Sequence, residues 1–255
     1  MMAKSKIALV TGGSRGIGRE TVLSLAKKGM DVVVTFYSKK DEAEAVVTEV
    51  ETLGKKAFAL LLNVADVVSL DQFIVDLKSG LTQTFGVEKI DYLVNNAGIG
   101  LPIPSIEATT EEQFDTLMNI HLKGTFFLTQ KLIPILNDNG GIVNITTGLT
   151  RFTLPGSGAY AMMKAAAESF TKYLAKELGS KGIRANAVAP GAVATDFSGG
   201  RLRDTPQAQE WAAGIAALGR VAAPDDISGV VSFLCSDDAK WVTGQRIEVS
   251  GGAFL

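Results

Sequence analysis

Short, nearly continuous apolar runs alternate along the chain with stretches whose apolar positions recur every three to four residues. The runs Ile7–Val10, Val32–Phe36, Ala57–Leu62, Tyr92–Val94, Gly141–Thr146, Ile183–Ala189 and Arg246–Val249 predict seven strands. Several have no polar alternation, as expected of parallel strands covered on both faces. Between them, Gly18–Lys28, Asp41–Leu53, Ser69–Thr84, Thr110–Leu136, Ala159–Leu178 and Asp225–Leu234 have helical periodicity. Thr110 followed three places on by Gln113 is a capping-box start. Strand–helix alternation with right-handed crossovers predicts an α/β fold, a doubly wound seven-stranded parallel sheet. No repeat or low-complexity linker divides the chain, so residues 1–255 read as a single Rossmann-type domain. One long irregular stretch begins at Val193 and runs to about Pro206. Loops of that length in compact domains are often functional, and a substrate lid is expected over about 193–218.

Composition narrows the function classes. The chain is 46% hydrophobic and 20% charged with net charge −2, so no basic surface suggests nucleic-acid binding. The single cysteine, Cys235, excludes an internal disulfide framework and reads as a buried small hydrophobe. No Cys/His cluster suggests a metal site. No run of 18 apolar residues occurs, and Met1 to Lys6 leads into the first strand without a secretory apolar segment. A cytoplasmic protein with no membrane partner is the expectation.

The residues Thr11 to Gly18, TGGSRGIG, follow the first strand and open the first helix. Glycines at 12, 16 and 18 permit a sharp turn and close approach to a phosphate, while free N–H groups at the helix start hold an anion. Ser14, Arg15 and Ile17 belong to the same turn. Alone, such a turn is weak evidence. A second constellation lies far downstream: Tyr160 and Lys164, spaced i, i+4, share one helix face. A cation beside a phenol lowers its pKa, and a phenol so tuned can protonate a carbonyl oxygen as hydride reaches the carbon. A Tyr four residues before a Lys is common on helices, so this pair too gains meaning only from its company.

Taken in order, the motifs resemble those of the short-chain dehydrogenase/reductase family over roughly Lys6 to Gly252. They are the glycine turn, Asn95-Asn96-Ala97-Gly98 after the fourth strand, and YxxxK at 160–164. Pro190-Gly191 with Val193 and Thr195 follows the sixth strand, and Gly244-Gln245 and Gly251-Gly252 close the series. The resemblance implies an NADPH-dependent carbonyl reductase that uses the pro-S hydride. Tyr160 would be the proton donor, and Lys164 would lower its pKa and hold the nicotinamide ribose. Thr147, where the family usually has Ser, would donate to the substrate carbonyl, with Thr146 pointing the other way. Val193 would meet the carboxamide and Thr195 the carboxamide or the pyrophosphate, while Pro190 and Gly191 shape the same wall. Asn95, Ala97 and Gly98 are placed near the ribose, although Asn96 and Gly98 also suit a purely geometric role. Asn63 and Val64 stand where Asp-Val is usual, and would meet the adenine.

His121, the only histidine, stands where the family usually has Asn, three residues before Gly124. It either keeps the family's backbone-carbonyl role as a packing variant or adds a titratable ring to a proton relay. A shifted alignment makes Asn119 the equivalent. Ser38, Lys39 and Lys40, with no carboxylate until Asp41, suit a 2′-phosphate together with Arg15, which favours NADPH over NADH. Lys39 and Lys40 also fit a plain solvated helix start.

The expected substrate is a small-molecule ketone or a 3-oxoacyl thioester. Phe152, Leu154, Phe197 and Trp211 are candidate walls, and Arg201 and Arg203 are either a carrier-protein contact or a solvated face. The 3-oxoacyl carrier-protein reductases form the nearest motif neighbourhood and the enzyme alternative. A catalytically silent NADP-binding sensor is disfavoured by the presence of both Tyr160 and Lys164. The family resemblance implies a homotetramer.

Overall fold

The computed structural model describes residues 5–255; the first four residues of the expected domain lie outside them. Seven parallel strands form one sheet in the order β3-β2-β1-β4-β5-β6-β7. They are β1 (Ile7–Val10), β2 (Asp31–Phe36), β3 (Ala57–Leu61), β4 (Ile90–Asn95), β5 (Leu136–Ile145), β6 (Arg184–Pro190) and β7 (Arg246–Val249). The expected doubly wound sheet is therefore present, with strand bounds within two residues except at β5. That strand begins five residues early because Leu136 already pairs with Ile90 before a register shift carries Gly141 opposite Tyr92.

Helices cover both faces. On one, α1 (Gly16–Lys27), α2 (Lys40–Thr52) and α9 (Pro224–Leu234) bury Val22, Val46 and Val231 against Val10, Val34 and Val188. On the other, α3 (Leu70–Phe85), α5 (Thr125–Leu132) and α6 (Gly158–Leu178) bury Leu77, Leu128 and Leu174 against Leu9, Leu93 and Ile142. Strands covered on both sides explain the unbroken apolar runs. The chain winds outward in opposite directions from β1 and β4. The crevice beyond their C-terminal ends is the switch point where ligands bind in such sheets.

Two expectations need correction. The continuous helix over Thr110–Leu136 is broken. The helix α4 (Glu111–Met118) begins with the expected Thr110–Gln113 capping box, then gives way to a π-helical turn over Asn119–Gly124 before α5 resumes. A single 3₁₀ turn, Ile133–Ile135, leads through Pro134 into β5, as proline in a helix requires. A Cβ at Gly124 would collide with the Val64 carbonyl and lie 2.8 Å from that of Asn119, so the widened turn presses against the end of β3. The supposedly irregular 193–206 stretch contains the short helix α7 (Arg201–Asp204), and α8 (Pro206–Ile215) follows it.

Candidate active site

The first helix starts without a side-chain cap and with no acidic residue in its first turn. Its first N–H groups therefore remain available at the switch point, an electrostatic setting that suits a phosphate. Gly12 and Gly16 both have positive φ, +63° and +55°, which glycine adopts without strain. A Cβ on Gly18 would collide with the Gly12 carbonyl and lie 2.6 Å from Asn96 Nδ2. Asn96 holds this turn, donating to the Thr11 and Gly12 carbonyls at 2.9 and 3.1 Å. These features fit a dinucleotide pyrophosphate. Ser14 is buried within the turn and Ile17 packs onto the core behind it.

At the far side of the crevice, Tyr160 and Lys164 lie on the first turns of α6. Lys164 is buried, donates to the Ile145 carbonyl at 2.7 Å, and sits 5.8 Å from the centre of the Tyr160 ring. Burial lowers Lys164 to about 8 and pushes Tyr160 above its ordinary value, while the facing Thr147 hydroxyl pulls the phenol back. This corrects the expectation that Lys164 leaves the phenol lowered: in the chain by itself desolvation prevails. Thr147 caps the turn after β5, its oxygen accepting from Leu149 N at 3.3 Å. Thr146 points away and donates to the Val188 carbonyl at 3.2 Å, as strand alternation requires.

The π-helical turn carries His121 inward until its ring is 1% exposed. It stands edge-on to Tyr160, with ring centres 5.0 Å apart and planes at 86°. Its Nε2 lies 2.8 Å from the Ile99 carbonyl and 3.4 Å from the Ile99 nitrogen; two acceptors would repel at the shorter distance, which assigns the proton to Nε2 as donor to the carbonyl. Its Nδ1 is buried with no partner among the described residues. Desolvation first, then the Lys164 charge, hold the ring down at about 3, against a smaller opposing effect of the Ile99 hydrogen bond. A ring so depressed stays neutral near pH 7, which speaks for the packing variant over the relay. Gly98 is needed beside it, since a Cβ there would lie 2.7 Å from His121 Cε1.

One consequence is measurable. The unfolded chain protonates His121 near the ordinary 6.5 while the folded ring refuses the proton until about 3, so stability falls as pH falls through this window. Between pH 7 and pH 5, about 2 kcal/mol should be lost. The lowered carboxyls of Glu248 and Asp226, both near 2, act only below the ordinary carboxylate range. Urea unfolding of wild type and His121→Asn at the two pH values tests this. The variant should lose its stability difference, and an unchanged difference would refute the assignment.

Other expected cofactor residues fare unevenly. Asn95 is committed elsewhere: its amide donates to Thr129 Oγ1 and Asn144 Oδ1 at 2.9 and 2.8 Å, inside the protein. Asn63 Oδ1 accepts from Ala65 N at 3.1 Å, holding its own turn, and Val64 abuts the π-helical segment. The backbone of Ala97 is tied to Thr11 Oγ1 at 2.9 Å. Pro190 ends β6, and Gly191 packs so tightly on Ser250 that a Cβ would lie 2.8 Å from its Cα. Val193 pairs with Ala222, and Thr195 stands over Gly16 with its oxygen accepting from Phe197 N at 3.2 Å. Ser38 is exposed. The cations meant for a 2′-phosphate are already partnered: Arg15 with Asp196 at 3.3 Å, Lys39 with Glu42 at 3.5 Å and Lys40 with Glu44 at 3.4 Å. Exposed pairs of this kind are weak, and a phosphate dianion can displace them.

Phe197 folds over Tyr160 with ring centres 5.8 Å apart, whereas Trp211 stays half-exposed on α8. Phe152 packs on Phe254 of the C-terminal tail, ring centres 4.7 Å apart. Cys235 is fully buried and its thiol is pushed up to about 12, which leaves it inert. Among the described residues no cluster of metal-ligating side chains occurs, and no helix is long and apolar enough to cross a membrane.

A half-buried tyrosine and a buried lysine one helical turn apart, a threonine hydroxyl facing the phenol and an uncapped glycine-rich helix start define an oxidoreductase site for the carbonyl/alcohol couple. The family model described as Enoyl-(Acyl carrier protein) reductase matches residues 12–253, and the chain belongs to the short-chain dehydrogenase/reductase family. It is 38% identical to the 3-oxoacyl-[acyl-carrier-protein] reductase FabG of Staphylococcus epidermidis, covering 98% of this chain and all of that one. Among solved structures it resembles LugOII, a promiscuous reductase that catalyses keto-reduction at C1 during lugdunomycin biosynthesis. The TM-score is 0.94 at 37% identity over the whole of both chains. It also resembles the angucycline C-6 ketoreductase LanV with bound NADP, with a TM-score of 0.92 at 36% identity over 97% of this chain and 95% of that one.

Proposed function

We propose that the chain is an NADPH-dependent carbonyl reductase acting on a ketone, and the observation that carries this is the Thr147–Tyr160–Lys164 arrangement. When bound, NADPH supplies the hydride. Thr147 donates a hydrogen bond to the ketone oxygen and polarises the carbonyl. Tyr160 then delivers its proton to that oxygen, so the carbonyl becomes a secondary alcohol and the phenol becomes a phenolate. The Lys164 ammonium stabilises that phenolate until solvent returns the proton. His121, neutral and edge-on, holds the phenol ring from the side. Gly12, Ser14, Arg15, Gly16, Ile17 and Gly18 would cradle the pyrophosphate, with Ala97, Gly98, Val193 and Thr195 along the ribose and carboxamide.

The solved LanV structure contains NADP, which supports the cofactor. Arg15, within the glycine turn, is the residue best placed to tell a 2′-phosphate from a hydroxyl. Arg15→Ala should raise the NADPH KM about tenfold or more while leaving the NADH KM nearly unchanged, since one charge-assisted bond is lost. Equal effects on both cofactors would remove Arg15 from that role.

A free ketone is favoured over a carrier-bound thioester. The departures His121 and Thr147 from the family's usual Asn and Ser, and Phe197 lying over Tyr160 with ring centres 5.8 Å apart, suit a general ketone site. The discriminating experiment follows NADPH and NADH consumption against an aryl ketone, a β-keto ester and a 3-oxoacyl thioester. Preference for the first two supports the reading. Tyr160-dependent turnover of the thioester alone would replace it with fatty-acid-type reduction. Cytoplasmic location and a homotetramer remain part of the proposal; size-exclusion chromatography with light scattering tests the latter.

A further inference from the structure

Behind the site lies a cluster of four charged side chains that the reaction as described does not use. Arg246, on β7, reaches toward the active site from the sheet edge. Its Nε donates to Glu168 Oε1 at 2.8 Å and its Nη2 donates to the Thr147 carbonyl at 3.1 Å. Both nitrogens also approach Thr150 Oγ1, at 3.2 and 3.1 Å. Thr150 closes the ring, donating to Glu168 Oε1 at 2.7 Å and lying 3.0 Å from the Thr147 carbonyl. Glu168 follows Tyr160 and Lys164 on the same face of α6, at i, i+4 and i+8. Arg246 and Glu168 are mostly buried, with 22% and 15% of their side chains exposed.

The second half of the cluster reaches the C-terminal tail. Glu248 accepts from Arg246 Nη1 at 3.1 Å and takes both arms of the Arg151 fork at 2.6 Å. Arg151 donates in turn to the carbonyls of Ala253 and Phe254. Two cations and two anions thus balance, and Glu248 is held near 2 by Arg151 first, so it stays charged across the working range.

We infer that Arg246 is a positioning residue for carbonyl activation: one guanidinium fixes both the Thr147 peptide and the helix that presents Tyr160 and Lys164. The inference rests on the reductase reading above. Threonine has a single side-chain torsion, stiff at its branched Cβ, so fixing its peptide leaves its hydroxyl few directions. The Glu168 bond fixes the roll of α6 and hence the phenol. A donor and an acid must meet one oxygen atom, and a misplacement of about 1 Å at such a site can cost about a hundredfold in rate. Neither group touches the glycine turn, which lies at β1 on the other half of the sheet. Arg246 should therefore act mainly on kcat, with cofactor affinity touched only through Lys164.

The test compares Arg246→Met, Arg246→Lys and Thr150→Val with wild type. Arg246→Met should lower kcat about thirtyfold to a hundredfold on a panel ketone, with the NADPH Kd from fluorescence titration within about twofold. Arg246→Lys should recover part of the loss, because an ammonium can pair with Glu168 but lacks the fork to reach the Thr147 carbonyl as well. The double variant Arg246→Met/Glu168→Gln should be no slower than Arg246→Met, since both break one linkage. A readout free of turnover is the Tyr160 Cζ resonance in ¹³C-tyrosine-labelled protein, assigned with Tyr160→Phe; it should shift in Arg246→Met. If wild type reduces no ketone yet that resonance shifts, the positioning stands and the reductase reading fails. An unmoved resonance and an unchanged kcat in folded Arg246→Met overturn the inference, as does a lower melting temperature with kcat intact. Should Arg246→Met fail to fold, an unchanged kcat in Thr150→Val overturns it, and a severalfold drop with cofactor Kd intact supports it.

Discussion

Tyr160→Phe should lower kcat for ketone reduction about a thousandfold, within the range that a positioned general acid supplies, and leave the NADPH Kd nearly unchanged. The substitution removes one oxygen and keeps the ring, so the edge contact with His121 at 5.0 Å and the packing on Phe197 at 5.8 Å both survive. The other donors are committed or weak: Lys164 Nζ is tied to the Ile145 carbonyl at 2.7 Å behind the phenol, Thr147 is too weak in acidity, and the neutral His121 ring directs its one N–H at the Ile99 carbonyl. The pH dependence carries the same signature. Burial raises the phenol, which keeps it protonated at neutral pH and ready to act as an acid. Burial also brings Lys164 down to about 8, so above that pH the ammonium that stabilises the phenolate is lost and reduction should slow. Steady-state rates from pH 6 to 9 test this; a rate that rises across pH 8 would contradict the assignment of Lys164.

Gly18→Ala should abolish cofactor binding within the measurable range, raising Kd about a hundredfold or more, and lower the melting temperature by several degrees. The added methyl group would collide with the Gly12 carbonyl and approach Asn96 Nδ2 to 2.6 Å, so the turn must open. Overpacking of this kind costs about 1–3 kcal/mol. The larger effect falls on binding, because the carbonyl that moves belongs to the loop whose N–H groups would face the phosphates of the proposed cofactor. Gly54→Ala is the control: that glycine also has positive φ, +74°, but a Cβ there meets nothing within 4 Å and lies far from the crevice in sequence and fold. It should reduce stability while leaving NADPH affinity intact. Fluorescence titration of both variants decides the matter, and wild-type affinity in Gly18→Ala would refute the placement of the cofactor.

How much of this was legible in the chain differs by element. The strands were legible because a sheet buried on both faces writes itself as apolar runs, and the Tyr160–Lys164 pair because helical spacing is fixed. The early start of β5 was not, since Leu136–Gly140 contains Asn137, Asp138 and Asn139, which read as a loop. The π-helical turn has no sequence signature of its own: one extra residue in a turn leaves the apolar period nearly intact. Yet it decides where His121 points. The chain marked that position as unusual, but only packing against Lys164, Tyr160 and Gly98 determines that the ring stays neutral. Helix α8 had a readable start in Thr205-Pro206, with proline at the first helical position, and its alanine-rich run went unread. Asn95 was placed at the cofactor by the resemblance of its motif, and its actual partners Thr129 and Asn144 are 34 and 49 positions away, beyond the reach of local pattern. The Arg246 cluster was invisible for the same reason, with Thr147 99 positions distant.

The central claim is that hydride and proton reach one carbonyl under the control of Tyr160. Single turnover of a panel ketone with [4S-²H]NADPH in ordinary water tests it most directly. The account predicts one deuterium on the carbinol carbon of the product with wild type, and the same label formed about a thousandfold more slowly with Tyr160→Phe. Deuterium retained in the cofactor while the ketone is consumed, or equal rates in the two proteins, would contradict it.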